Sequence, residues 1–186
     1  MFKIDAKKRS FLDIEKIKAY HGNIVYGVPR ETAKNRKDIE DKYANKTGKE
    51  PKYNNAELLA LMEHGSIINN LPERKLLQPV REKYKSQIDR ALLNICSLII
   101  KGNTEEADKQ MELLALRIEG WTKKFFTDPD NNWAPNAPIT IYGGWMRNKK
   151  TGKVFYVKGK HSEKPLIDTG SLRASIKGIF YRESEQ

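Results

Sequence analysis

Leu76, Leu77, Val80, Tyr84, Ile88, Ala91, Leu92, Ile95, Leu98 and Ile99 return every three or four residues. That period puts them on one face of a helix, which must find another apolar face to cover it. Pro79 is tolerated if it falls in the first turn, so the spacing predicts a helix from near Gln78 to Gly102. At 1.5 Å per residue such a helix is about 33 Å long. A second stripe follows at once: Ala107, Met111, Leu114, Ala115, Ile118, Trp121 and Phe125. Thr104 is the expected cap, with Glu105 and Glu106 at the positive end of the helix. The tight Gly102-Asn103 link folds the two helices into an antiparallel pair.

The remaining pattern is mixed, which predicts an α+β fold: a small antiparallel sheet packed against the helix pair, with extended basic loops. Phe2 and Ile4 alternate with charge, and Ser10 with Asp13 suits the start of a short helix through Ile14 and Ile17. Ile24 to Val28 is β-branched and aromatic and reads as a strand ending at Pro29. Asn54 or Asn55 caps a short helix filled by Leu58, Leu59, Leu61 and Met62 and ended by Gly65. Ile139 to Tyr142 and Val154 to Val157 read as two strands joined by a basic hairpin tip over 147–153. Residues 1–186 form a single domain with a core over about 22–182; residues 30–54 are expected as an exposed loop that gains order on assembly.

One stretch near the C-terminus is dense in turn chemistry: Lys164-Pro165-Leu166-Ile167-Asp168-Thr169-Gly170-Ser171-Leu172-Arg173-Ala174-Ser175-Ile176. Asp168 and Thr169 can accept backbone N–H groups, and Gly170 can adopt a positive φ. Beyond it, Leu172 and Ile176 fit helical spacing, while Ala174, Ile176 and Gly178 fit a strand. Asp-Thr-Gly also occurs in aspartic proteases, where two such aspartates share a proton. Here it occurs once, with too little chain after it to wall a cleft, and the upstream helices do not suit an all-β enzyme. A turn that caps its own backbone is the simpler expectation.

Other chemistry is sparse. Cys96 is the only cysteine, so no internal disulfide forms. His21, His64 and His161 lack metal-ligand partners at useful spacing. Asp128-Pro129-Asp130-Asn131-Asn132 begins like a calcium loop, but Trp133 and Ile139 occupy the glycine and final carboxylate places. Neither a phosphate loop nor a nucleophile elbow is present, so catalysis, cofactors and metals are not expected. No export signal or membrane-length apolar run appears, which predicts cytoplasmic synthesis and no membrane partner. The net charge of +11 predicts an acidic partner. Residues 1–52 hold 14 basic and 8 acidic side chains and so supply +6 of it.

Several pieces in order carry a resemblance. Glu63-His64-Gly65 precedes Leu71-Pro72-Glu73-Arg74-Lys75-Leu76-Leu77, then the helix pair, then Asn136-Ala137-Pro138-Ile139-Thr140, then Pro165-Leu166-Ile167-Asp168-Thr169-Gly170-Ser171-Leu172. This resembles the tailed-phage virion-morphogenesis family of neck, head–tail joining and tail-completion proteins. The chain departs from the family pattern at Lys75 and Leu76. The resemblance implies a structural virion protein, not an enzyme, synthesised in the host bacterial cytoplasm. It would form a hexameric or dodecameric homo-oligomeric ring at the neck or tail end. Its partners would be a neighbouring connector, portal-side or tail-tube proteins and DNA passing through the channel.

Glu63, Gly65, Pro72, Arg74, Pro165, Asp168, Thr169, Gly170 and Leu172 are then candidates for shaping the subunit. Arg147, Lys149, Lys150 and Lys153 are candidates for reaching neighbours. Arg74 is expected to turn inward to a carboxylate, Glu63 or Asp168. The +11 charge supports a second expectation, a basic DNA-binding or packaging-associated protein.

Overall fold

The computed structural model describes residues 14–33, 54–67, 71–148, 151–159, 161 and 170–182. Its elements are α1 (residues 14–19), β1 (Gly22–Gly27), α2 (Arg30–Ala33), α3 (Asn55–His64), α4 (Leu77–Lys83), α5 (Lys85–Ile100), α6 (Thr104–Phe125), a 3-10 turn (Pro129–Asn131), α7 (Pro138–Tyr142), β2 (Gly143–Arg147), β3 (Val154–Lys158), α8 (Ser171–Ser175) and β4 (Lys177–Arg182). The fold is α+β, but the strands form two separate two-stranded antiparallel sheets, β1–β4 and β2–β3. The expected segments at Phe2–Ile4 and the Ser10–Asp13 cap lie outside the described residues.

The long amphipathic stripe is broken once. Tyr84 leaves helical geometry (φ −102°, ψ 11°), so two helices stand where the spacing predicts one. Two contacts account for the break. The Tyr84 ring stacks flat on Trp121, centroids 4.4 Å apart and planes 2° from parallel. Next to it, Lys83 reaches Asp128 at 2.7 Å and Asp130 at 2.8 Å. Those aspartates are the ones that mimic a calcium loop. Here Lys83, and then the Asp130 N–H, hold the Asp128 carboxyl below its ordinary pKa.

The link Lys101–Asn103 turns α6 back along α5. Asn103, one residue before the expected Thr104, is the cap, and its side chain accepts the Glu106 N–H. Ile95 and Ile99 of α5 meet Ala107, Met111, Leu114 and Ile118 of α6 in one apolar cluster. The β1–β4 sheet covers the same side of α6 through Ile24, Tyr26 and Phe180. Contact is so close at Gly178 that a Cβ there would overlap the Ala115 carbonyl. A second cluster joins Leu59, Leu76, Val80, Phe125, Phe126, Leu172 and Ile176.

Both readings left open after Gly170 are used in turn: Ser171–Ser175 is helical and Lys177–Arg182 is a strand. Ile139 to Tyr142, expected as a strand, is the short helix α7, and the strand begins at Gly143. Pro138 presets the first helical turn and Gly143 (φ 77°) ends it, so the local boundaries override β-branched propensity. At the near end of the expected 30–54 loop, Arg30–Ala33 is a helical turn with Ala33 buried. Thr32 there donates its hydroxyl to the Ser175 carbonyl at 2.8 Å. Residues 34–53 lie outside the described residues.

At the sheet–helix junction Glu119 accepts the Gly178 N–H at 3.0 Å and binds Lys123 at 2.6 Å. Burial alone would raise its pKa. The Lys123 and Gly178 hydrogen bonds and the Lys123 and Lys177 charges outweigh burial and hold it below its ordinary value of 4.5. A depressed folded value stabilises the fold above the unfolded value and ceases to do so as pH falls through the folded one. Thermal melts between about pH 6 and pH 3 should therefore show a shallower acid loss of stability for Glu119→Gln than for the parent chain. Equal slopes would remove Glu119 from the acid response.

Candidate functional site

The candidate residues fall into two places with opposite character. The first is a buried knot at the end of α3. Asn54 caps that helix in a reciprocal box with Glu57. Gly65 ends it with φ 65°, where a Cβ would press on the Leu71 carbonyl oxygen at 2.9 Å. Ser66 and Leu71 then exchange two backbone hydrogen bonds of 2.9 Å. Pro72, which follows, is exposed.

Glu63 has a use that its sequence position hides. Helix α4 starts at Leu76, whose side chain cannot cap. The Glu63 carboxylate takes that part from outside, accepting the Leu76 and Leu77 N–H groups at 2.8 Å each. A carboxylate at a helix N-terminus satisfies orphan donors and suits the dipole.

Arg74 is drawn inward as expected, at 5% exposure, but not to a carboxylate. Its Nε and Nη2 donate to the Ala134 carbonyl at 3.2 and 3.1 Å, and Nη2 also reaches the Pro135 carbonyl at 3.5 Å. Glu63 is occupied by backbone donors, and Asp168 lies outside the described residues. Burial pulls the guanidinium below its ordinary pKa, with no opposing carboxylate contribution. Arg74 thereby fastens the extended segment after Trp133, whose indole N–H donates to the Lys75 carbonyl at 2.9 Å. Trp133 in turn packs edge-on against Phe125 and Phe126. Gly170 (φ 67°) opens α8, and Leu172 is buried in the same cluster. Pro165 and Thr169 lie outside the described residues.

The second place is the β2–β3 hairpin. Arg147 pairs in register with Val154, Met146 with Phe155, Trp145 with Tyr156 and Gly144 with Val157. Alternation puts Trp145, Arg147, Val154, Tyr156 and Lys158 on one face and Met146 and Phe155 on the other. Neither face is covered: Trp145 is 72% exposed and Tyr156 57%, with Met146, Val154 and Phe155 also exposed. Trp145 meets Tyr156 edge-on at 5.3 Å. The turn is built, since Asn148 and Gly152 close it through 2.8 Å backbone bonds. Arg147 and Lys153 sit exposed on this hairpin; Lys149 and Lys150 lie outside the described residues.

The exposed aromatics are the residues that sequence reading missed. Their signal was present: Val154-Phe155-Tyr156-Val157 has no polar alternation, so a strand there has two apolar faces. Among the described residues no group of three or more His, Cys, Asp or Glu side chains is placed to hold a metal ion. Among them too, no helix is long and apolar enough to cross a membrane.

Comparison with protein-family models, with curated proteins and with solved structures finds no match for this chain.

If Arg74 acts as a clamp on main-chain carbonyls, Arg74→Lys should lower unfolding stability by about 2 kcal/mol, because one ammonium cannot reproduce the planar fork. Urea unfolding checks this, and an unchanged midpoint would show the clamp to be dispensable.

Proposed function

We propose that this chain is a structural subunit of a tailed phage, building a homo-oligomeric ring at the neck or tail end that completes the tail or joins it to the head. The observation that carries this reading is the hairpin Gly143–Lys158, whose apolar residues find no cover in their own chain. A two-stranded ribbon is marginal in water alone, and contiguous exposed aromatic surface marks a contact with another molecule. Support also comes from the motif order resembling the virion-morphogenesis family. Its Glu63, Gly65 and Arg74 converge on one knot that fixes α3 against α4. In a ring, neighbours or the adjoining connector and tail-tube proteins would cover the hairpin, with DNA passing through the channel.

A second reading, a basic DNA-binding or packaging-associated protein, is favoured by one observation. From Gly143 to Lys158 the chain carries Arg147, Lys149, Lys150, Lys153 and Lys158 and no acidic residue. Basic side chains interleaved with aromatic ones also suit nucleic acid.

Native mass measurement of the purified chain, alone and with the adjacent connector protein, separates the two. The ring reading predicts a discrete hexamer or dodecamer and weak binding to free duplex DNA. A monomer under both conditions that holds short duplexes with steep salt dependence would overturn it in favour of the second reading.

A further inference from the structure

The hairpin's charge limits what can cover it. Its described cations Arg147, Lys153 and Lys158 are exposed, and no ion pair to them occurs among the described residues. Two hairpins meeting face to face would bring like charges together without an acidic group between them, which is destabilising. Its docking surface must therefore be apolar and acidic.

One surface of the same chain has that character. On α6 the core-facing positions are Ala107, Met111, Leu114 and Ile118. Glu105, Glu112, Leu113 and Leu116 fall on the opposite side by helical spacing. Leu113 is 45% exposed and Leu116 59%, large values for leucines in the middle of a 22-residue helix. Glu105 and Glu112 are exposed and make no ion pair with a described residue. Over residues 104–113 the helix carries Glu105, Glu106, Asp108 and Glu112 against Lys109 alone, and Lys109 is turned toward Glu106 at 4.0 Å.

Resting on the ring reading, we propose that the β2–β3 hairpin of one copy docks on the outer face of α6 of the next copy. Trp145 and Tyr156 lie on Leu113 and Leu116, and Arg147 and Lys158 face Glu105 and Glu112. Donor and acceptor surfaces differ, so the contact is head-to-tail: every copy uses both, and the series closes into a ring. The aromatic pair supplies the buried anchor, and the charges fix which surfaces meet.

Charge reversal tests it. Arg147→Glu with Lys158→Glu, and separately Glu105→Lys with Glu112→Lys, should each weaken assembly at least about tenfold. The chain carrying all four substitutions should regain it, since the pairs are restored with opposite sign. Unchanged thermal melts show that the variants fold. If wild type assembles and the hairpin variant assembles equally well, or the fourfold variant does not recover, the docking is wrong while the ring reading stands. If wild type is monomeric alone and with its connector, the ring reading falls and takes the docking with it. If the hairpin variant keeps its mass but loses duplex DNA binding, the hairpin faces nucleic acid and the docking is likewise overturned.

Discussion

A two-stranded ribbon has two faces and can cover at most one of them. In this chain the ribbon Gly143–Lys158 places Trp145 and Tyr156 on one face and Met146 and Phe155 on the other. Its turn is closed by good backbone bonds, and α7 supports its base, so it is held out in a defined shape. The apolar residues along it remain in water. That is the one large debt in an otherwise self-contained molecule, and the functional reading follows from it. Preformed ribbons lose little conformational freedom on docking, so more of the buried apolar area appears as affinity.

The rest of the chain settles its own polar groups, often over long sequence distances. Glu63 caps a helix that begins thirteen residues later, where Leu76 can offer no cap. Arg74 binds carbonyls sixty residues away and so ties the segment after α6 to the segment before α4. Glu119 fixes the Gly178 backbone where strand and helix meet most closely. At the rim, Arg182 binds Asp108 at 2.7 Å and lies 3.9 Å over the Tyr20 ring. Burial first, and then the hydrogen bond to Asp108, push the Tyr20 hydroxyl up to about 12. These are the features of a rigid body. A rigid body carrying one unsatisfied arm is suited to assembly.

What could be read in the sequence was what local chemistry decides. The α6 stripe, the Asn54 cap, the Gly65 stop and the strand at Val154 all rest on neighbours within a few residues. What escaped depends on distant partners. The break at Tyr84 comes from Trp121 and from the aspartates that hold Lys83. Arg74 prefers carbonyls because the nearest carboxylate already serves two backbone donors. Ile139 to Tyr142 looked like a strand because its β-branched residues outweighed, on paper, the proline and glycine that bound it. The hairpin was legible as a shape, while its lack of cover became plain only once the core was seen to close without it.

If the hairpin is covered by assembly, its backbone amides should change most between the free and assembled chain. Amide hydrogen exchange over Gly143–Lys158, followed from dilute to concentrated protein, reads this directly. The account predicts fast exchange in the dilute chain and marked protection on assembly, with α5 and α6 core amides slow throughout. An assembled particle whose hairpin amides exchange as fast as those of the dilute chain would contradict it.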